Sequence, residues 1–134
     1  MRYAIVYVST ASQNLEKDEI EGILNTSKEW NNDNNITGLL LFSGGNFFQI
    51  IEGEKGKILE LFEDIQTDKR HHNIMQIFGK EIYKDAYDGY DSDFVAEEEN
   101  IDTSRFQHYL DQVKVLDKSA QNAVENILKA FLPL

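Results

Sequence analysis

The chain has 134 residues, of which 41% are hydrophobic and 11% aromatic, so it is suited to one domain with a packed core. Its 13 basic and 24 acidic residues give a net charge of -11, which disfavours general binding to nucleic acids or anionic membranes. The sequence contains no cysteine, which excludes disulfides, thiolate metal sites and a cysteine nucleophile.

We expect no signal peptide, because the first predicted strand starts almost at Met1. We also expect no membrane helix, because no apolar run approaches the roughly 18 residues that it needs. We therefore expect a cytoplasmic protein that binds neither membranes nor nucleic acid. The short basic stretch Lys69-Arg70-His71-His72 could hold one anionic ligand, but it is too small for a long polyanion.

The first elements along the chain are a strand and an amphipathic helix. Residues Tyr3 to Ser9 alternate with apolar side chains on both faces, which predicts a strand that is covered on both sides. The helix begins among Asn14 to Asp18, where Asn or Asp can cap it, and the polar cluster Asn31 to Asn35 ends it. Its apolar stripe has helical spacing and consists of Ile20, Ile23, Leu24, Ser27 and Trp30.

A hairpin, a second helix and two further strands follow. Thr37 to Phe42 and Asn46 to Glu52 are predicted strands, and Ser43-Gly44-Gly45 between them can adopt the positive φ angles of a tight turn. Further strands are predicted at Ile74 to Gly79 and near Tyr90 to Val95. The second helix is marked by the stripe Ile58, Leu61, Phe62 and Ile65.

The order β-α-β-β-α-β predicts a ferredoxin-like α+β fold with two helices on one face of the sheet. Two C-terminal helices should cover the other face, with stripes on Phe106, Tyr109, Leu110 and Val113 and on Ala120, Val124, Ile127, Leu128 and Phe131. We place the main domain at 1–96 and a helical cap at 97–134, with the acidic run Glu97-Glu98-Glu99-Asn100 as the linker.

Gln49 is the least conventional residue of the predicted core. Strand alternation puts its amide on the same face as Phe47 and Ile51, where a polar group is costly unless it is hydrogen-bonded. Either it bonds to nearby backbone, or it faces a bound polar ligand. Tyr7 could share that face if its strand neighbours the third strand, although a tyrosine in a strand is usually a core residue.

The remaining polar candidates have ordinary structural explanations. Asn31 is common at a helix end, and Trp30 beside it continues an apolar stripe, as a core residue would. The charged segment around Arg70 is typical of a solvated turn. The three histidines lack the spacing of a metal site, so no metal is expected. The sequence has no phosphate loop, dinucleotide fingerprint or nucleophile elbow, so we expect that the protein is not an enzyme.

Several motifs together resemble the BLUF family of blue-light sensors that use FAD. They are Tyr7-Val8-Ser9, Asn31 followed by Ile36-Thr37-Gly38-Leu39-Leu40, the block Phe48-Gln49-Ile50-Ile51-Glu52-Gly53-Glu54, and Asp68-Lys69-Arg70-His71. The resemblance runs from about Arg2 to Gly79, and the tail resembles the short, single-domain form of the family.

The resemblance implies that FAD lies between the two helices, with FMN or riboflavin as alternatives. Asn31 would bond the pyrimidine edge of the ring, Asp68 and Arg70 would add polar contacts, and Trp30 and His71 would line the site. Gln49 would bridge Tyr7 to the ring atoms N5 and O4. Light would make Tyr7 give up an electron and then a proton through Gln49, which ends rotated or tautomerised. The flavin supplies the photochemistry and the protein supplies orientation.

Three residues, two in the last strand and one in the second helix, depart from the family pattern. Tyr90 and Ser92 stand where the last strand often carries a tryptophan and a methionine, which leaves the route of the signal open. Asp64 stands in the second helix where a basic residue is common, which could alter the preference among flavins.

Three hypotheses follow for the function. The first is a photoreceptor that signals to an unidentified protein partner or through its own homo-oligomer. The second is a light-insensitive module of the same fold that binds flavin or another small ligand. The third is a small ferredoxin-like hydrolase, which the missing nucleophile disfavours.

Overall fold

The computed structural model describes residues 1–82, 89–96, 101–114 and 116–133. Within these residues the chain forms five strands and four helices. In chain order they are β1 (Arg2–Ala11), α1 (Lys17–Asp33), β2 (Thr37–Ser43), β3 (Asn46–Glu54), α2 (Lys55–Thr67), β4 (His71–Ile82), β5 (Tyr90–Val95), α3 (Thr103–Val113) and α4 (Lys118–Phe131).

The strands form one sheet in the order β4-β1-β3-β2-β5. Strand β1 is antiparallel to β3 and β4, β2 is antiparallel to β3, and β5 joins β2 in parallel at the edge. In the β1–β3 register Tyr7 lies directly opposite Gln49. The two residues therefore share a face, as alternation predicts for neighbouring strands.

Each face of the sheet is covered by its own helical layer. Helices α1 and α2 cover a core formed by buried residues such as Ile5, Leu24, Ile51, Ile58 and Phe62. Helices α3 and α4 cover the other core, formed by residues such as Val6, Phe48, Tyr109, Val124 and Leu128. This arrangement confirms the predicted ferredoxin-like α+β fold. Both faces of the sheet are covered because the strands carry apolar side chains on both sides.

The structure extends several predicted elements. Strand β4 begins at His71 and ends at Ile82, and β1 reaches Ala11, because the two pair with each other along almost their full length. Helix α1 ends at Asp33, inside the predicted polar cluster Asn31 to Asn35, so Asn31 lies in its last turn. Sheet pairing and helix packing outweigh local polarity at these ends.

The expected linker 97–100 lies outside the described residues, and the boundary at residue 96 stays a prediction. Within the described part of the chain, none of the helices combines the length and apolar character required to cross a membrane.

Candidate functional site

A cavity of about 230 Å³ lies between the sheet, α1 and α2. The structure brings all seven predicted site residues together around it: Tyr7, Trp30, Asn31, Gln49, Asp68, Arg70 and His71. Apolar side chains complete the wall, including Ile23, Leu40, Phe47, Leu61 and Ile65. A concave, mostly apolar cavity with a few polar groups is typical of a small-molecule site.

Gln49 lies at the centre of a buried hydrogen-bond chain. Its side chain is 3% exposed, and its Oε1 accepts a hydrogen bond from the hydroxyl of Tyr7. Its Nε2 donates to the hydroxyl of Tyr90. Both ends of the amide are thus bound to phenols, so the interpretation of Gln49 as bonded to nearby backbone is wrong. An amide has two donors and two acceptor sites, so one of each is left for a ligand.

Tyr7 is held in a mostly apolar environment. Its ring lies 5.6 Å from that of Phe62, and burial raises the pKa of its hydroxyl well above the usual value, with Tyr90 and Asp68 adding to the rise. The phenol is therefore protonated at neutral pH and can donate to Gln49. A protonated phenol bonded to an amide is arranged to release its proton along that bond.

Asn31 brings an incompletely satisfied amide to the cavity. The residue is 3% exposed in the last turn of α1, and its Oδ1 has no hydrogen-bond partner among the described residues. Leaving a buried acceptor unpaired costs roughly 1–3 kcal/mol. A ligand that carries an N–H group at this edge of the cavity would satisfy this oxygen.

The next residue, Asn32, fixes the position of Tyr90. Its Oδ1 accepts from the backbone N–H of Tyr90 at 2.8 Å, and its Nδ2 donates to the backbone carbonyl of Tyr90 at 2.9 Å. This pair of bonds joins the end of α1 to the start of β5. The phenol of Tyr90 then projects towards Gln49, and burial raises its pKa above the usual value.

Asp68 and Arg70 form an ion pair at the cavity edge. The Nη2 of Arg70 lies 2.6 Å from Oδ2 of Asp68, and this guanidinium lowers the pKa of the carboxyl. Asp64 also lines the cavity. The acidic Asp64 and Asp68 together outnumber Arg70, which gives this side of the cavity little attraction for a further anion.

His71 is fixed at both ring nitrogens. Its Nε2 lies 2.6 Å from the carbonyl oxygen of Ile65, and its Nδ1 lies 2.7 Å from Oγ of Ser9. Since a carbonyl only accepts, Nε2 carries a proton. The ring is therefore a fixed part of the wall between β4 and α2.

Trp30 lies at the cavity rim with 49% of its surface exposed. The expectation of a core position from the apolar stripe is wrong, because the stripe reaches the end of the layer at this last turn. Among the described residues, no group of three or more histidine, aspartate and glutamate side chains is placed to hold a metal ion.

Sequence reasoning did not find the contact between Tyr90 and Gln49 or the role of Asn32. The alternation of β5 signals that Tyr90 and Ser92 face α1, and Ser92 does donate to the carbonyl of Leu24 at 3.0 Å. Which strand lies beside β5, however, is not encoded in a local pattern.

A family model described as sensors of blue light using FAD, BLUF, matches residues 3–92. The photoactivated adenylate cyclase subunit alpha of Euglena gracilis is 32% identical over 83 residues, which are 62% of this chain and 8% of that protein. The blue light- and temperature-regulated antirepressor BluF of Escherichia coli strain K12 is 30% identical over 77 residues, or 58% of this chain and 19% of that protein.

Among solved structures, BlsA in its photo-activated state is 25% identical with a TM-score of 0.69, covering 96% of this chain and 94% of that one. The ferredoxin-like fold and the cavity between its sheet and helices are those of a small-molecule-binding domain. The chain belongs to the BLUF family of blue-light sensors that use FAD. A family of sensors agrees with the prediction that the domain is not an enzyme. The chain spans about a fifth or less of the length of the cyclase subunit and of the antirepressor.

Proposed function

We propose that the cavity binds the ring of a flavin and that the domain senses blue light through Tyr7 and Gln49. The observation that carries the proposal is the buried hydrogen bond from Tyr7 to Gln49 at a cavity lined by apolar side chains. The membership in a family that uses FAD supports the choice of ligand.

The residues present fit a flavin ring. The unpaired Oδ1 of Asn31 suits an imide N–H, and the spare donor of Gln49 suits a carbonyl or ring nitrogen. Apolar walls such as Ile23 and Leu61 suit the faces and methyl-bearing edge of the ring. Asp68, Arg70 and His71 would line its surroundings, and Trp30 would lie at the mouth.

A cavity of about 230 Å³ is smaller than the roughly 300–1,000 Å³ of typical drug-sized sites. We infer that it takes the ring and leaves most of the tail outside, near Trp30 and Arg70. The acidic lining from Asp64 and Asp68 gives no strong reason to select a phosphate-bearing tail. FAD is the expected ligand of the family, with FMN and riboflavin as alternatives.

A bound flavin supplies the absorption of blue light and, once excited, a one-electron oxidant. Tyr7 is the electron donor in this proposal, because its phenol lies beside the site and is reversibly oxidisable. Loss of an electron to the excited flavin would sharply acidify the phenol, so its proton would leave along the existing hydrogen bond to Oε1 of Gln49. The amide would in turn give up a proton to the flavin through its spare N–H. Return of the electron and the proton would then restore the phenol of Tyr7. The amide of Gln49 then changes its bonding, and strand β3 carries it next to both β1 and β2.

Signalling beyond the domain is a further part of the proposal. A hydrogen-bond rearrangement at Gln49 would shift the population of two domain conformations, which a protein partner or a second copy reads. The antirepressor BluF, by its name, regulates a repressor in response to light, which supports a protein partner here. Residence in the cytoplasm stays a prediction, and residues 97–134 are proposed as a cap for the domain at 1–96.

One absorption measurement tests the function. The purified protein reconstituted with FAD should be yellow, and its flavin bands should shift reversibly to the red under blue light. A protein that binds FAD but never shifts would support the light-insensitive alternative. A colourless protein that cannot be reconstituted would overturn both.

Replacing Asn31 tests the assignment of the orphan oxygen. Asn31→Ala removes the acceptor for the imide N–H, so we expect FAD to bind about 10-fold more weakly, as the loss of one good buried hydrogen bond predicts. Titration of the apoprotein with FAD, followed by flavin fluorescence, measures the change. The matched control is Asn25→Ala, because Asn25 is exposed on the same helix. Equal affinity in Asn31→Ala and wild type would contradict the assignment.

A further inference from the structure

Two phenols bind one amide at the centre of the site. Tyr7 donates to Oε1 of Gln49, and Nε2 of Gln49 donates to the hydroxyl of Tyr90. Tyr7 is 3% exposed and Tyr90 is 2% exposed, so water does not compete for either bond. The three side chains form a linear hydrogen-bonded chain that joins strands β1, β3 and β5.

A phenol differs from most aromatic side chains because its hydroxyl can both donate and accept. If the amide of Gln49 turned by half a turn, Nε2 could donate to the oxygen of Tyr7. Oε1 could then accept from the hydroxyl of Tyr90. Both orientations of the amide would keep two hydrogen bonds. An indole N–H only donates, so it could bond only to Oε1 of the amide, and a phenyl ring could bond to neither end.

The position of Tyr90 is fixed independently of Gln49. Asn32 binds both its backbone N–H and its carbonyl, at 2.8 and 2.9 Å. Parallel pairing with β2 places Tyr90 opposite Gly38. The side chain of Asn31 also lies close enough to the hydroxyl of Tyr90 to lower its pKa, although burial raises it more. The backbone of Tyr90 is therefore anchored without help from Gln49, and the buried phenol reaches the amide from this anchored position.

We propose that Tyr90 is a positioning residue that stabilises both orientations of the Gln49 amide and so prolongs the light-formed state. The inference rests on the proposed light reaction, but it assigns a role to a residue outside the pair of Tyr7 and Gln49. Return to the dark orientation requires the bond between Tyr90 and the turned amide to break. The hydroxyl of Tyr90 thereby sets part of the barrier to recovery.

The variant Tyr90→Phe removes the hydroxyl and retains the ring. We expect it to bind FAD and to form the red-shifted state, and to recover in the dark about threefold to tenfold faster, as the loss of one neutral hydrogen bond predicts. Recovery is followed by absorbance after a blue pulse. Tyr109→Phe is the matched control, because Tyr109 is equally buried but lies on α3 and packs into the core on the other face of the sheet.

A second measurement needs no flavin. In the ¹⁵N-labelled apoprotein, the side-chain amide protons of Gln49 should move upfield in Tyr90→Phe and stay in place in Tyr109→Phe. Recovery within twofold of the wild type, or an unmoved amide resonance, would overturn the role of Tyr90. If the wild type shows no red shift at all, the proposed function and the light-state part of this inference both fail. In that case a moved resonance would leave only the resting contact between Gln49 and Tyr90.

Discussion

The variant Tyr7→Phe is expected to abolish the light-induced red shift while the protein still binds flavin. The substitution removes one hydroxyl from a buried ring that also packs on Phe62. It deletes the proposed electron donor and the hydrogen bond to Gln49 together. A phenyl ring is much harder to oxidise than a phenol and has no proton to transfer. We therefore expect at least about a 100-fold lower yield of the shifted state, as the loss of the group that gives up the proton predicts.

Gln49→Leu should give the same loss for a different reason. Leucine retains much of the volume but cannot donate or accept, so no bonding change can follow the oxidation of Tyr7. The hydroxyls of Tyr7 and Tyr90 then lose their common partner, so we also expect lower stability. Difference spectra before and after blue light measure the shift, and flavin content per protein confirms that binding persists.

Tyr3→Phe is the matched control for the tyrosine variant. Tyr3 lies on the same strand and packs against the same helical layer as Tyr7, but it does not line the cavity. It should shift as the wild type does. A normal photocycle in Tyr7→Phe would refute the role given to this residue.

Gly38→Ala should strongly destabilise the fold, although it adds only one methyl group. Gly38 has a φ of +144°, which residues with a side chain rarely adopt. A Cβ there would lie 1.9 Å from the carbonyl oxygen of Ile50 in the neighbouring strand. The contact is with backbone, so it cannot be relieved by a rotamer change. The sheet would have to separate at β2 and β3, and we expect a loss above about 4 kcal/mol.

Gly22→Ala is a matched control for that variant. Gly22 lies in α1, and a Cβ there would meet nothing within 4 Å. An exposed glycine in a helix interior is less favourable than alanine, so this change should stabilise the protein by about 0.5–1 kcal/mol. Urea unfolding of both apoproteins followed by circular dichroism measures the two changes. Equal stability of Gly38→Ala and wild type would show that the backbone at β2 can relax.

Patterns among residues close in sequence were enough to predict most of the strands and helices and the residues of the site. Alternation of apolar residues in β1 and β3 placed Tyr7 and Gln49 on inward-facing positions, because a strand has a period of two. Helical stripes identified which sides of α1, α2, α3 and α4 face the sheet. Both patterns are local, so they can be recognised without knowledge of the fold. The family motifs then connected Tyr7, Asn31 and Gln49 to one function.

Contacts between distant residues were decided only by the tertiary structure. Tyr90 reaches Gln49 because β5 joins β2 at the sheet edge, and no pattern within either strand specifies that neighbour. The clamp of Asn32 on Tyr90 likewise depends on where α1 ends relative to β5. Trp30 belongs to a helical stripe, but the edge of the layer leaves it half exposed. Periodicity specifies which way a side chain points, whereas its partner depends on how the elements are arranged in space.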